Sequence, residues 1–157
     1  MDDGPADGAP RPGSYFEIRR KWQPGDFVDL HLPMPAQLVE ANPLVEEDLN
    51  QVAVRRGPVI YCLESPDLPG GVKMSGVFIP ADIHWIARYD RRLLGGIVLL
   101  EGAALARPTE DWRDRLYRPL RLQDLKPISL RLIPYCVWGN RGPSEMSVWL
   151  PLAPQLL

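Results

Sequence analysis

Proline takes 18 of the 157 positions, and these prolines are spread along the whole chain instead of being confined to one polar linker. Each removes a backbone donor and clashes with the preceding turn of a helix, so long helices are excluded along most of the chain. Proline is also confined to the edges, first residues and bulges of sheets. A chain that is 45% hydrophobic and more than twice as rich in proline as the roughly 5% average must therefore build its core from short strands joined by turns. At this length it fits one domain, or two small ones sharing a core, and buries about 70% of its unfolded surface.

The order of residues fills in that outline. Met1 to Gly13 is acidic and rich in Gly and Pro, and reads as a flexible tail ahead of a domain over 14–157. Ser14 to Trp22 alternates apolar and polar residues, Gln23-Pro24-Gly25-Asp26 is a turn, and Phe27 to Met34 alternates again, which predicts a first hairpin. Gln51–Arg55 and Val59–Glu64, separated by Gly57-Pro58, predict a second. Val59 to Leu63 is continuously apolar, as in a central strand covered on both faces. Shorter strands follow at Gly76–Ile79, Ile83–Arg88 and Ile97–Leu100, with a charged turn at Asp90-Arg91-Arg92. Thr109 to Leu116, entered through Pro108 with Glu110 and Asp111 in its first turn, is the single short helix expected. A last hairpin is expected between Ile128–Tyr135 and Met146–Leu150. About nine strands with Pro/Gly-rich turns predict an all-β chain, an antiparallel β-sandwich.

Composition and motifs exclude several function classes. A net charge of −2, with arginines interleaved among acids, offers no footprint for nucleic acid or an anionic membrane. No apolar run approaches the roughly 20 residues of a membrane helix, and no signal peptide is visible in the acidic N-terminus. Cys62 and Cys136, each next to a tyrosine in an apolar run, read as buried small hydrophobes of a cytoplasmic protein. His31 and His84 stand alone, one expected exposed and one packed, so no zinc site and no cofactor is called for. Glu64, Glu101 and Glu145 lie at strand ends, where exposed glutamates keep a surface soluble; nothing in the sequence brings two of them together as a glycosidase requires. The remaining lead is aromatic. Trp138, with Asn140, Arg141 and Tyr135 close by, is the candidate contact for a sugar ring or for a partner surface.

Three segments carry a family resemblance in this order. They are Gly13-Ser14-Tyr15-Phe16-Glu17-Ile18-Arg19-Arg20-Lys21-Trp22-Gln23-Pro24-Gly25-Asp26, then Val52 to Glu64 with Arg56-Gly57-Pro58-Val59-Ile60-Tyr61 at its centre, then Leu132 to Gly142 with Met146 to Pro151. Together they resemble the C-terminal region of glycoside hydrolase family 127, the β-L-arabinofuranosidase family. The resemblance implies a β-sandwich that follows a catalytic (α/α) barrel. It also implies that the zinc-bound cysteine apparatus of that barrel lies outside this stretch; Cys62 and Cys136 do not match it. The expected role is thus a non-catalytic accessory domain that packs against a catalytic barrel or self-associates. The alternative is a carbohydrate-binding module for arabinose-containing glycans. An autonomous enzyme would need a carboxylate pair in a cleft.

Overall fold

A computed structural model describes residues 10–108, 116–117, 119 and 125–153. Their elements are strands and 3₁₀ turns: β1 Ala36–Val39, β2 Gln51–Arg56, β3 Val59–Glu64, β4 Val72–Phe78, β5 Ile86–Asp90, β6 Ile97–Pro108, β7 Lys126–Pro134, β8 Met146–Ser147 and β9 Leu150–Pro151. All nine belong to one antiparallel sheet, with β1-β2-β3-β7-β6-β4 as its spine. The all-β antiparallel class read from the proline distribution is the class observed.

Local chemistry sets the pairings. The β2–β3 hairpin closes where expected, with Arg56 opposite Val59 across Gly57-Pro58. Gly57 holds φ at +56°, a left-handed value that glycine adopts without steric cost. The longest ladder joins β6 to β7, from Leu100 opposite Leu132 to Ala106 opposite Lys126. Within it, Gly102 lets the 83–85 segment cross close above the sheet. A Cβ there would lie 3.0 Å from Trp85 Cε3 and 3.2 Å from the His84 carbonyl oxygen.

The sheet then curls until its ends meet. β9 pairs with β2, setting Leu150 opposite Val52. Beyond β4, the Ile79 N–H donates to the Pro151 carbonyl at 2.8 Å, and the Ala153 N–H donates back to Ile79 at 2.8 Å. The circuit β2-β3-β7-β6-β4-β9 is thereby closed, while β1 and β5 lie outside it as edge strands, paired to β2 and β6 respectively.

Period-two alternation gives this sheet two apolar faces. Val54, Tyr61, Leu63, Val77, Leu100, Leu130, Leu132 and Leu150 fill the enclosed core. Their neighbours Cys62, Leu99 and Ile133 face the other way, into a second cluster capped by Leu93, Leu94, Val137, Met146 and Val148. The continuous apolar run in β3 is therefore explained as expected: both of its faces are covered.

The first and last hairpins expected from the sequence are corrected. The described residues form two compact units, one ending at Leu32 and one beginning at Pro33. In the first, the 23–26 turn is present, with the Asp26 N–H on the Gln23 carbonyl at 3.0 Å, but no strand flanks it. Phe27, Val28, Leu30 and Leu32 are exposed. Alternation alone does not hold a two-stranded hairpin, which is marginal in water without a third layer. The last hairpin is also rearranged. β7 pairs with β3 and β6, whereas β8 pairs with β3 and β9 with β2. The closing circuit recruits these short strands separately. The helix expected at Thr109–Leu116 falls almost wholly outside the described residues.

Candidate functional site

β7 ends at the buried Pro134, and a 3₁₀ turn over Tyr135–Val137 follows. Val137 turns down into the outer apolar cluster, while Tyr135 and Trp138 stay 45% and 41% exposed. The loop that continues to β8 is held from beneath by one carboxylate. Glu64, the last residue of β3, is only 1% exposed. Its Oε1 accepts the Gly139 backbone N–H at 2.7 Å, and its Oε2 accepts Arg141 Nε at 2.7 Å and also Arg141 Nη2. Arg141 spans to a second carboxylate, donating from Nη2 to Asp67 Oδ2 at 2.5 Å and from Nη1 to Asp67 Oδ1 at 3.2 Å. The far end of the loop is tied as well: Ser65 N–H donates to the Glu145 carbonyl at 2.9 Å, and Glu145 N–H donates to Ser65 Oγ at 3.1 Å.

Ion pairing continues outward across the sheet. Arg131 stands 3.8 Å from Asp67 and 3.3 Å from Glu101, and Arg88 reaches the same Glu101 oxygen at 2.6 Å. Glu101 and Arg131 are opposite partners in the β6–β7 ladder, so the register itself places them together. The result is an alternating chain of three carboxylates and three guanidiniums, dry at Glu64 and open to water at Arg88.

Charge and burial shift the nearby titrations. The hydrogen bond to Asp67 holds the Arg141 guanidinium above its ordinary value; partial burial opposes this and the Glu64 bond adds to it. Burial pushes the Cys62 thiol up to about 12, with the Glu64 charge adding to the effect. Burial likewise raises Tyr61. Cys62 is inert as a nucleophile under these conditions, since the thiolate is the reactive form.

The structure brings Tyr135, Trp138, Asn140 and Arg141 onto one loop, as their spacing suggested, but with different tasks. Arg141 is committed to Glu64 and Asp67, and Asn140 Nδ2 donates to the Val137 carbonyl at 3.0 Å. Tyr135 and Trp138 carry the exposed surface. Three expectations are corrected. Glu64 is buried and saturated, where a strand-end glutamate was expected on the surface; its position directly after a run of apolar β3 residues was the available signal. Cys136 is exposed, since the turn after Pro134 rotates it outward; both cysteines are free thiols. His84 is exposed like His31, because the 83–85 segment crosses Gly102 with Ile83 and Trp85 inward. The two carboxylates that do meet, Glu64 and Asp67, have the Arg141 guanidinium filling the space between them.

Comparison with known proteins places this arrangement in a family. Residues 36–151 match the model of the glycoside hydrolase family 127 C-terminal domain. A non-reducing end β-L-arabinofuranosidase of Bifidobacterium longum subsp. longum is 34% identical over 131 residues, which is 80% of this chain and 20% of that protein. Among solved structures, a glycoside hydrolase is 49% identical with a TM-score of 0.69 over 77% of this chain and 20% of its own. A family 127 β-L-arabinofuranosidase of Geobacillus stearothermophilus T6 is 38% identical with a TM-score of 0.68, over 76% of this chain and 18% of its own. The chain therefore spans about one fifth of the relatives it matches. It belongs to glycoside hydrolase family 127, of which it carries the C-terminal domain.

Proposed function

We propose that this chain serves as a non-catalytic accessory β-domain of a β-L-arabinofuranosidase-like glycoside hydrolase, and that it packs against and stabilises the catalytic region through the loop carrying Tyr135 and Trp138. The observation that carries this reading is the pairing of two exposed aromatic residues with a buried ionic anchor directly beneath them. Burying charged groups is costly unless the geometry is closely satisfied. Here that cost fixes the shape of a surface loop rather than filling the core. Rigid, half-exposed aromatic residues are the type enriched at protein interfaces. Their fixed position lowers the entropy lost on docking. Asn140 and Arg141 act within the loop, setting its conformation.

The test replaces the C-terminal domain of the Bifidobacterium relative with this chain and compares the hybrid with a form lacking the domain. Thermal unfolding and hydrolysis of a β-L-arabinofuranoside are the two readouts. The expected result is that deletion lowers the unfolding temperature or the soluble yield, and that the hybrid restores both together with activity. A deletion form as stable and active as the complete enzyme would refute the accessory role.

A further inference from the structure

At the outer end of the ion-pair chain, a groove of about 340 Å³ opens between the 65–69 loop and the exposed face of β6 and β7. That volume falls at the lower end of the roughly 300–1,000 Å³ range of small-molecule sites. Pro66, Leu68 and Pro69 form one wall, and Asp67, Glu101, Ser129 and Arg131 supply the polar lining. From this lining we infer that the groove is a binding site for a neutral polyhydroxylated ligand, a single sugar ring or one residue of a glycan. The inference goes beyond the docking role and does not depend on it.

Three features select that chemistry. The first is charge. The lining holds the carboxylates of Asp67 and Glu101 and the guanidinium of Arg131, and Arg88 and Arg141, paired to those carboxylates from outside the lining, bring the linked set with Glu64 to no formal net charge. An anion would meet the carboxylates and a cation the guanidiniums, and neither is favoured. The second is hydrogen-bonding capacity. Among the described residues, the hydrogen bonds to Glu101, from Arg88 and Arg131, all go to Oε1 and none to Oε2. Among the described residues, Arg131 Nη1 has the 3.8 Å ion pair to Asp67 and no hydrogen bond, and Ser129 lies two residues away on the same face of β7. An acceptor, a donor and a hydroxyl side by side suit vicinal hydroxyls, each of which donates and accepts at once. The third is the apolar wall. The ring faces of Pro66 and Pro69 can cover the C–H face of a sugar ring at little entropic cost, since proline buries without losing rotamer freedom.

The site also differs in kind from Glu64, where the same residue types are closed off. Register places Glu101 beside Arg131, and the 3₁₀ turn Ser65–Asp67 raises the opposite wall.

The test is an NMR titration of the complete chain with methyl β-L-arabinofuranoside and methyl β-D-glucopyranoside, with inorganic phosphate and calcium as charged probes. The expected result is saturable shifts at millimolar sugar in the amides of Asp67, Leu68, Ser129 and Arg131 and in the Arg131 side-chain N–H. Loss of a hydrogen bond to a charged group lowers affinity by about tenfold or more, and that is expected for Glu101→Gln. Ser129→Ala, an exposed change that leaves the fold intact, should also weaken binding. Absence of shifts with both sugars would overturn the inference. So would shifts confined to the Tyr135–Trp138 loop, unaltered affinity in both variants, or tighter binding of phosphate or calcium at these residues. None of these results touches the domain-replacement test, so the two readings fail separately.

Discussion

Glu64 and Glu101 are the same residue type, each bound by arginine on the same sheet, yet they do opposite work. Glu64 is buried beneath the 135–145 loop, and both of its oxygens accept hydrogen bonds from a guanidinium or a backbone N–H. Glu101 lies on a partly exposed face, with Arg88 and Arg131 converging on one oxygen. Burial, more than residue identity, separates an anchor from a contact surface. A dry, saturated pair fixes the backbone around it, whereas a wet one keeps valences for another molecule.

The largest expected effect comes from breaking the dry end. Arg141→Ala takes the paired guanidinium from the buried Glu64, leaving it the Gly139 N–H, and leaves Asp67 with the more distant Arg131, and should cost about 3 kcal/mol of stability, read from urea unfolding. Gly102→Ala tests the crossing segment next. Its Cβ would sit 3.0 Å from Trp85 and 3.2 Å from a backbone oxygen, and overpacking of this kind costs about 1–3 kcal/mol. Glu101→Gln should cost less than about 1 kcal/mol, because its arginine partners are roughly half exposed and solvent screens the pairs. A Glu101 effect as large as that of Arg141 would erase the contrast between the two ends.

The cysteines sharpen the same contrast at the smallest scale. A thiol reagent at neutral pH should label Cys136 in the folded chain and reach Cys62 only after unfolding. Cys136→Ser should remove the native labelling and move stability by no more than about 0.5 kcal/mol, as for surface changes generally. The sign of the pH effect at Cys62 follows from its raised folded pKa. The unfolded thiol ionises near 9.0 while the folded one keeps its proton to about 12, so this contribution to stability is complete below 9.0 and is lost as pH rises toward 12.

Much of the architecture was legible in the residues. The prolines excluded long helices, Gly57-Pro58 marked the β2–β3 hairpin, and the apolar run at Val59–Leu63 announced a strand covered on both faces. What was not legible depends on long-range register. Nothing near Met146 or Leu150 says that they pair with β3 and β2 rather than with β7. The alternation at Phe27–Leu32 looks the same whether or not a partner strand lies alongside. The candidate loop was visible as an aromatic and polar cluster after Pro134. Its anchor was not, because Glu64 and Arg141 are 77 residues apart and meet only when the sheet closes. The groove escaped for the same reason: Asp67, Glu101 and Arg131 come from three separate segments.

Docking of this domain onto a larger enzyme through a rigidly held aromatic loop is tested by a paired thermal-unfolding measurement on Tyr135→Ala/Trp138→Ala. The double variant is unfolded both as the isolated chain and within the Bifidobacterium hybrid. The isolated chain should melt close to the unaltered one, and the hybrid should lose the stability the domain confers. A hybrid as stable as the unaltered one would contradict it.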